Sequence, residues 1–193
     1  MNTTDHAEYE WNDETAERYA RKYGECATNR LPVEEIHLPS NATIVDIGCG
    51  TGSTLRRAAD FVTNGDLIGI DPVPRMLEIA REKTATHPAG DRIEFRQGSA
   101  ENLPIDDDFA DLVIAFDSFD HWRDQEKGLV EVRRVLRPAG RFVVVKDFHL
   151  PDSKDAGLAF VEKLTRFDFT LLSEQFIEAE GVSFTMWVSS ISG

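Results

Sequence analysis

The stretch Thr43-Ile-Val-Asp-Ile-Gly-Cys-Gly-Thr-Gly52 constrains this chain more than any other. Ile44, Val45 and Ile47 are β-branched, as suits a strand covered on both faces, and Gly48, Gly50 and Gly52 let the backbone turn sharply and come close to a ligand. Ser53 then opens a helix. Strand, glycine turn and helix N-terminus form the nucleotide cradle of an open α/β sheet, because helix N–H groups and a bare backbone face one crevice.

The rest of the chain supplies the matching pattern. Short apolar runs at Thr43–Ile47, Leu67–Ile70, Ile93–Arg96, Leu112–Phe116 and Phe142–Val145 alternate with helical periodicity, most clearly at Pro74–Thr86 and Gln125–Leu136. Repeated βα units of this kind predict a doubly wound, mainly parallel sheet with helices on both faces. At 193 residues and 41% hydrophobic side chains the chain suits one domain. Within residues 1–193, an N-terminal helical lid or connector is expected over 1–40, a cofactor-binding core over 43–147, and C-terminal helices with an edge strand over 148–193. Met1 to about Asp13 reads as poorly ordered, and Glu14–Tyr23 as a helix with Ala16, Tyr19, Ala20 and Tyr23 on one face, serving as a lid or packed beside the sheet. After the fifth strand, helices are expected at Ala156–Phe167 and Ser173–Ala179. The strictly alternating Val182–Ser189 then reads as a half-exposed strand. Only that one strand fits, so either an earlier segment supplies the missing strand or the antiparallel C-terminal edge is shortened and open, free to pair with a second copy in a homodimer.

A formal charge of −14 excludes the basic stripe that a nucleic-acid backbone requires. The charge assigns no function by itself. Cys26 and Cys49 form no CxxC or Cys/His cluster, so neither a disulfide framework nor a metal site is expected. No apolar run reaches the roughly 18 residues of a membrane span, and the N-terminus lacks the apolar core of a signal peptide. These features predict a cytoplasmic protein with no membrane partner.

In an open parallel sheet the ligand lies beyond the carboxyl ends of the strands. Asp71 ends a strand 19 residues beyond Gly52, where a carboxylate accepts hydrogen bonds from both ribose hydroxyls. Asp46, two residues ahead of Gly48, would repel a pyrophosphate but suits a ligand carrying a cationic amino group. The glycines agree: they run G-x-G-x-G, with Ser53 where a dinucleotide fingerprint wants Gly or Ala.

Val45-Asp-Ile-Gly-Cys-Gly-Thr-Gly52 resembles the first motif of the class I S-adenosylmethionine-dependent methyltransferases. Gly69–Leu77 is similar to that family's ribose-binding segment, Gly98–Pro104 to its adenine-side segment and Asp111–Ser118 to its fourth-strand motif. Leu129–Gly140 resembles the helix and turn before its fifth strand. The nearest flavour is the small-molecule group containing quinone and sterol enzymes. The resemblance implies S-adenosyl-L-methionine as cofactor, S-adenosyl-L-homocysteine as product, and a small-molecule methyl acceptor. It further implies that Asp46, Gly48, Cys49, Gly50 and Gly52 hold the methionine end and Asp71 the ribose. Pro72 and Met76 would flank the adenine, Ser99 and Ala100 would meet its edge, and Phe116 would pass beneath. Ser99 departs from the family pattern, in which Asp commonly accepts from the adenine amino group.

The acceptor is expected over the fourth and fifth strand ends, where Asp117, Ser118, Phe119, Asp120, His121, Trp122, Lys146, Asp147 and His149 cluster. His121 is the candidate catalytic base, since an imidazole takes a proton near neutral pH; a capping or solvated residue is the other reading. Two alternatives for the whole chain stay open. One is a non-catalytic S-adenosylmethionine-binding or regulatory subunit. The other is an NAD-dependent oxidoreductase, against which stand Asp46, the missing third glycine and the lack of a Tyr-x-x-x-Lys motif.

Overall fold

The computed structural model describes residues 11–147 and 153–191. The expectation for the first ten residues and the strand-end candidate His149 lie outside that range, as does the Asp147 side chain.

Seven strands form one sheet: β1 (Ile44–Ile47), β2 (Leu67–Asp71), β3 (Ile93–Gln97), β4 (Ala110–Phe116), β5 (Leu136–Asp147), β6 (Phe169–Ala179) and β7 (Val182–Ile191). Their order is β3-β2-β1-β4-β5-β7-β6. The first five are parallel, and β7 and β6 close the sheet antiparallel. The chain moves outward from β1 to β2 and β3, then returns to β4 on the other side of β1. The reversal between β1 and β4 is the switch point at which such sheets open a crevice.

Helices α1 (Asp13–Tyr23), α2 (Leu31–Glu35), α3 (Ser53–Ala58), α4 (Pro74–Thr84), α5 (Gln125–Val135) and α6 (Ser153–Arg166) connect and cover the strands. Alternation along the strands builds two cores. Ile44, Leu112, Ile114 and Phe116 face the side covered by Val33 of α2, Leu55 and Ala58 of α3 and Leu77 and Ala80 of α4. Val45, Ile47, Val113 and Ala115 face Leu129 and Val132 of α5 and Leu164 of α6. The expected double winding follows from these β-branched central strands, each buried on both faces.

The C-terminus departs from expectation. Ser173–Ala179 is not a helix but most of β6, which pairs with β7 from Ala179↔Val182 to Phe169↔Ile191. Glu174, Gln175 and Ala179 favour a helix locally, but ten residues of hydrogen-bonded partner strand outweigh a preference of a few tenths of a kcal/mol per residue. The antiparallel edge is therefore two strands, not a shortened one. Since β7 lies between β5 and β6, Phe184, Thr185, Met186 and Trp187 are all buried, not half-exposed. The edge on which the dimer expectation rested is already occupied by β6. The sheet ends on β6, where Glu174 and Glu178 point outward with Leu172 and Phe176, charges of the kind that blunt an edge.

Candidate active site

The site begins where β1 ends. The N–H groups of Gly48 and Cys49 both donate to the Ile70 carbonyl, at 2.8 and 3.1 Å, so the glycine turn hangs from the end of β2. Gly50 has φ +52°, and a β-carbon built there would meet nothing within 4 Å: the turn presents bare backbone to open space. Gly48, at φ +74°, is closed on its outer side, because a β-carbon would come within 2.5 Å of Ser118 Cβ. Ser118 in turn donates its hydroxyl to the Ile47 carbonyl at 2.5 Å, clamping the loop after β4 onto the turn.

Two aspartates sit behind this turn. The Asp46 side chain is buried and its Oδ2 has no hydrogen-bond partner. Burial, with a smaller contribution from Asp71, pushes its pKa up to about 8. Asp71 accepts one backbone N–H on each oxygen, from Val73 at 2.9 Å and Gly50 at 3.1 Å. Burial raises its pKa to about 6 against those two bonds. Each Asp71 oxygen keeps a second lone pair, the requirement for gripping a vicinal diol. An orphaned buried carboxyl beside an open glycine turn suits a cationic amino group, and the pair together fits the aminoacyl and ribose ends of the expected cofactor.

The other expected contacts lie around this centre. Pro72 is exposed at the end of β2, whereas Met76 is buried with Ala16, Ala20, Val73 and Ile79 beneath α1. Ser99 is half-buried in a bridge with Asn102, and its hydroxyl bonds the Glu101 carboxylate. The Ala100 side chain packs in the core with Leu129. Cys49 is buried against Gly69, with its thiol pKa raised by burial first and then by Asp46 and Asp71. Phe116 is buried at the end of β4, beside Ile114 and Val145.

Beyond Phe116 lies a cavity of about 620 Å³. Of the residues expected to surround an acceptor, Asp117, Phe119, Asp120, His121 and Lys146 line it. Ser118 is committed to the turn. Trp122 packs instead against Phe119 and Phe142, at ring-centroid distances of 4.7 and 6.3 Å. Asp117 holds a left-handed φ of +50° and donates its N–H to the Val145 carbonyl at 2.9 Å, which turns the chain across the end of β5. Asp120 and Lys146, both in the lining, form an ion pair.

The remaining lining was not read from sequence as part of a site. Tyr19 and Tyr23 reach in from α1, Phe160 and Lys163 from α6, and Trp187 from β7. Their i, i+4 spacing put Tyr19 and Tyr23 on one helical face, but nothing local says what that face covers. The Tyr19 hydroxyl joins cavity and turn: burial, then Asp117, with Cys26, Tyr23 and Asp71 adding less, pushes its pKa up to about 12. A second tie anchors α1, since Thr51 in the glycine turn donates its hydroxyl to the Gly24 carbonyl at 2.7 Å, buried. Among the described residues no group of His, Cys, Asp and Glu could hold a metal, and no helix is long and apolar enough to cross a membrane.

A family model described as a methyltransferase domain matches residues 45–144. The demethylmenaquinone methyltransferase of Lactiplantibacillus plantarum is 36% identical over 113 residues, which cover 58% of this chain and 48% of that protein. A sterol 4-C-methyltransferase of Caenorhabditis elegans is 32% identical over 111 residues, 58% of this chain and 33% of that one. The chain thus spans about half the length, or less, of the curated relatives it matches. Among solved structures, a SAM-dependent methyltransferase from Aquifex aeolicus aligns with a TM-score of 0.76 at 17% identity, over 94% of this chain and all of that one. The YcgJ protein of Bacillus subtilis aligns at 0.69 and 17%, over 86% and 98%. At that identity these structures show a common fold.

Proposed function

The chain belongs to the methyltransferase-domain family, and from that premise we propose that it transfers a methyl group from S-adenosyl-L-methionine to a small-molecule acceptor, releasing S-adenosyl-L-homocysteine. The observation that carries this reading is the orphaned Asp46 Oδ2 behind the open face of Gly50. A buried carboxyl without a partner costs on the order of 1–3 kcal/mol, and an ammonium group placed there removes the cost. In this reading Asp46 takes the amino group of the cofactor, the backbone from Gly48 through Cys49 and Gly50 to Gly52 wraps its methionine end, and Asp71 takes the two ribose hydroxyls. Pro72 covers one adenine face, backed from within by Met76, while Ser99 and the Ala100 backbone N–H meet the ring edge. Phe116 forms the floor beneath.

When bound, the cofactor supplies an electrophilic methyl group on a sulfonium leaving group. The chain's part is to align, dry and deprotonate the acceptor. Well-oriented reactants save on the order of 7–11 kcal/mol of barrier, so the walls of the cavity carry most of the work. Tyr19 and Tyr23 of α1 shield the reacting end from water, and the Asp120–Lys146 pair fixes the loop that carries His121. His121 lines the cavity and acts as the base, a role worth about 10²–10⁴-fold in rate.

The test is a melting comparison followed by labelled methyl transfer. A ligand at 100 times its dissociation constant stabilises by about 2.7 kcal/mol, which for a chain of this size raises the melting temperature by about 5–11 °C. S-adenosylhomocysteine is expected to do this and NADH is not, and label from the cofactor is expected in one small product of a metabolite extract. Stabilisation by NADH alone overturns the proposal, as does cofactor binding with no labelled product.

A further inference from the structure

The acceptor cavity is unevenly charged. Among the described residues four formally charged side chains line it, two carboxylates and two ammonium groups: Asp117, Asp120, Lys146 and Lys163. Lys146 is ion-paired with Asp120. Asp117 lies near the Tyr19 hydroxyl, whose proton is held on by burial first and by this carboxylate second. Lys163 has no such carboxylate. Among the described residues its ammonium meets only the Gln125 side-chain oxygen, as donor, and the face of Phe119, 6.0 Å from the ring centroid. A half-buried ammonium with one neutral acceptor and a ring keeps unused donor capacity.

The walls beside it are aromatic. Phe119 meets Phe160 edge-on at 5.0 Å, and Phe160 meets Trp187 at 5.1 Å, with interplanar angles of 75° and 61°. Tyr19 and Tyr23 of α1 line the same cavity. Side chains from the loop after β4 and from α1, α6 and β7 thus offer ring faces and edges around Lys163, a lining cation with no carboxylate partner among the described residues.

We propose that the acceptor is a flat aromatic ring bearing a carboxylate, and that Lys163 is the residue that selects it. The inference rests on the methyltransferase reading above and names its substrate class. The ring lies among Phe119, Phe160 and Trp187, and its carboxylate accepts from the Lys163 ammonium alongside Gln125. That contact fixes which ring atom faces the cofactor end beside Asp117. Lys163 binds and orients; it takes no part in the chemistry. A neutral ring of the same shape fills the same space but leaves the ammonium without its anion.

The test uses the full chain saturated with S-adenosylhomocysteine, titrated calorimetrically with salicylate, naphthoate and indole acetate, each beside its methyl ester. The tightest-binding acid is expected to exceed its ester by about tenfold or more, the scale of a charge-assisted hydrogen bond. Lys163→Met keeps the aliphatic stem and is expected to weaken the acid to the level of the ester while leaving the ester unchanged. Lys163→Arg is expected to retain the preference. Equal affinities for acid and ester in the native chain, a Lys163→Met variant that weakens both alike, or no binding of any acid overturns the proposal. The S-adenosylhomocysteine titration that precedes each run reports separately on the methyltransferase reading. If it fails, the acid and ester comparison on the unliganded chain still decides the role of Lys163.

Discussion

Replacing Asp46 by Asn isolates the most unusual group in the site. In the folded chain this carboxyl keeps its proton up to a pKa of about 8, because it is buried and lies near Asp71. In the unfolded chain an aspartate ionises near 3.9. The folded state therefore binds more protons than the unfolded state between these values, and stability falls as pH rises through that window. From pH 6, where Asp71 reaches its own pKa, up to pH 8, Asp46 dominates the difference. A retained proton costs about 1.4 kcal/mol per pH unit, and since Asp46 is half ionised by pH 8 the native chain should lose about 2.3 kcal/mol through this group across these two units. For a chain of this length that is about 5–9 °C of melting temperature. Asp46→Asn has no proton to lose at this position, and its curve should be flatter by that amount.

Urea melts at half-unit steps from pH 6 to pH 8 measure the difference directly. Only about a pH unit or more above the Asp46 pKa of about 8 should both curves run parallel, since Asp46 is then ionised in both states of the native chain. Binding supplies an independent reading: an ammonium ligand favours the ionised carboxylate, so S-adenosylhomocysteine should displace close to one proton at pH 7 from the native chain and none from Asp46→Asn. Calorimetry in buffers of different ionisation enthalpy reports that number. Parallel pH profiles for the two chains between pH 6 and 8 would refute the assignment of a neutral, buried Asp46.

Three further outcomes are expected. Asp71→Ala should weaken S-adenosylhomocysteine binding by at least about 100-fold, two charge-assisted bonds being lost, and Gly50→Val should abolish it by filling the open face at φ +52°; far-ultraviolet circular dichroism should stay native in both, and unchanged affinity in both would contradict the cradle. Thr51→Val leaves the buried Gly24 carbonyl without its donor and should cost about 1–3 kcal/mol in urea melts, an effect that is absent if α1 docks independently of the turn. His121→Gln should lower the turnover number by about 10²-fold or more with cofactor affinity intact; an unchanged turnover number would remove the base.

The legible part of this molecule is the part where each residue's environment is set by its near neighbours. A strand covered on both faces must be β-branched, a turn that meets a ligand must lack side chains, and an acid ending a strand must face the crevice. Ile44 to Gly52, with Asp46 and Asp71, could therefore be placed from sequence alone. Ser173–Ala179 could not, because its helix-favouring residues become a strand only when β7 offers ten paired positions. The aromatic and cationic lining was hidden for the same reason. Phe160, Leu164 and Phe167 mark one face of α6 by spacing, but Lys163 gains its meaning from Phe119 and Gln125, which meet it only after the chain has crossed the sheet. Asp117 was legible as a strand-end acid, whereas its left-handed backbone, which aims it at Tyr19, was not.

The net charge misleads about the site for a related reason. A formal −14 spread over the surface acts on a distant ligand, but salt screens it beyond about 8–10 Å. Within the crevice the local arrangement decides, and there two of the acids are masked: Asp46 is protonated at neutral pH and Asp120 is neutralised by Lys146, while Asp71, with one backbone N–H on each oxygen, and Asp117 stay able to accept hydrogen bonds. In the proposed reading, Asp46 would receive an ammonium at one end and Lys163 an anion at the other. The two ends demand opposite charges, so the cofactor and an anionic acceptor do not compete for one another's places. Bound together, the cofactor's amino group and the acceptor's carboxylate would sit at opposite ends, leaving the sulfonium as the charge at the reacting centre. The methyl group would then cross between these two anchors, beside Tyr19 and near the Asp117 carboxylate.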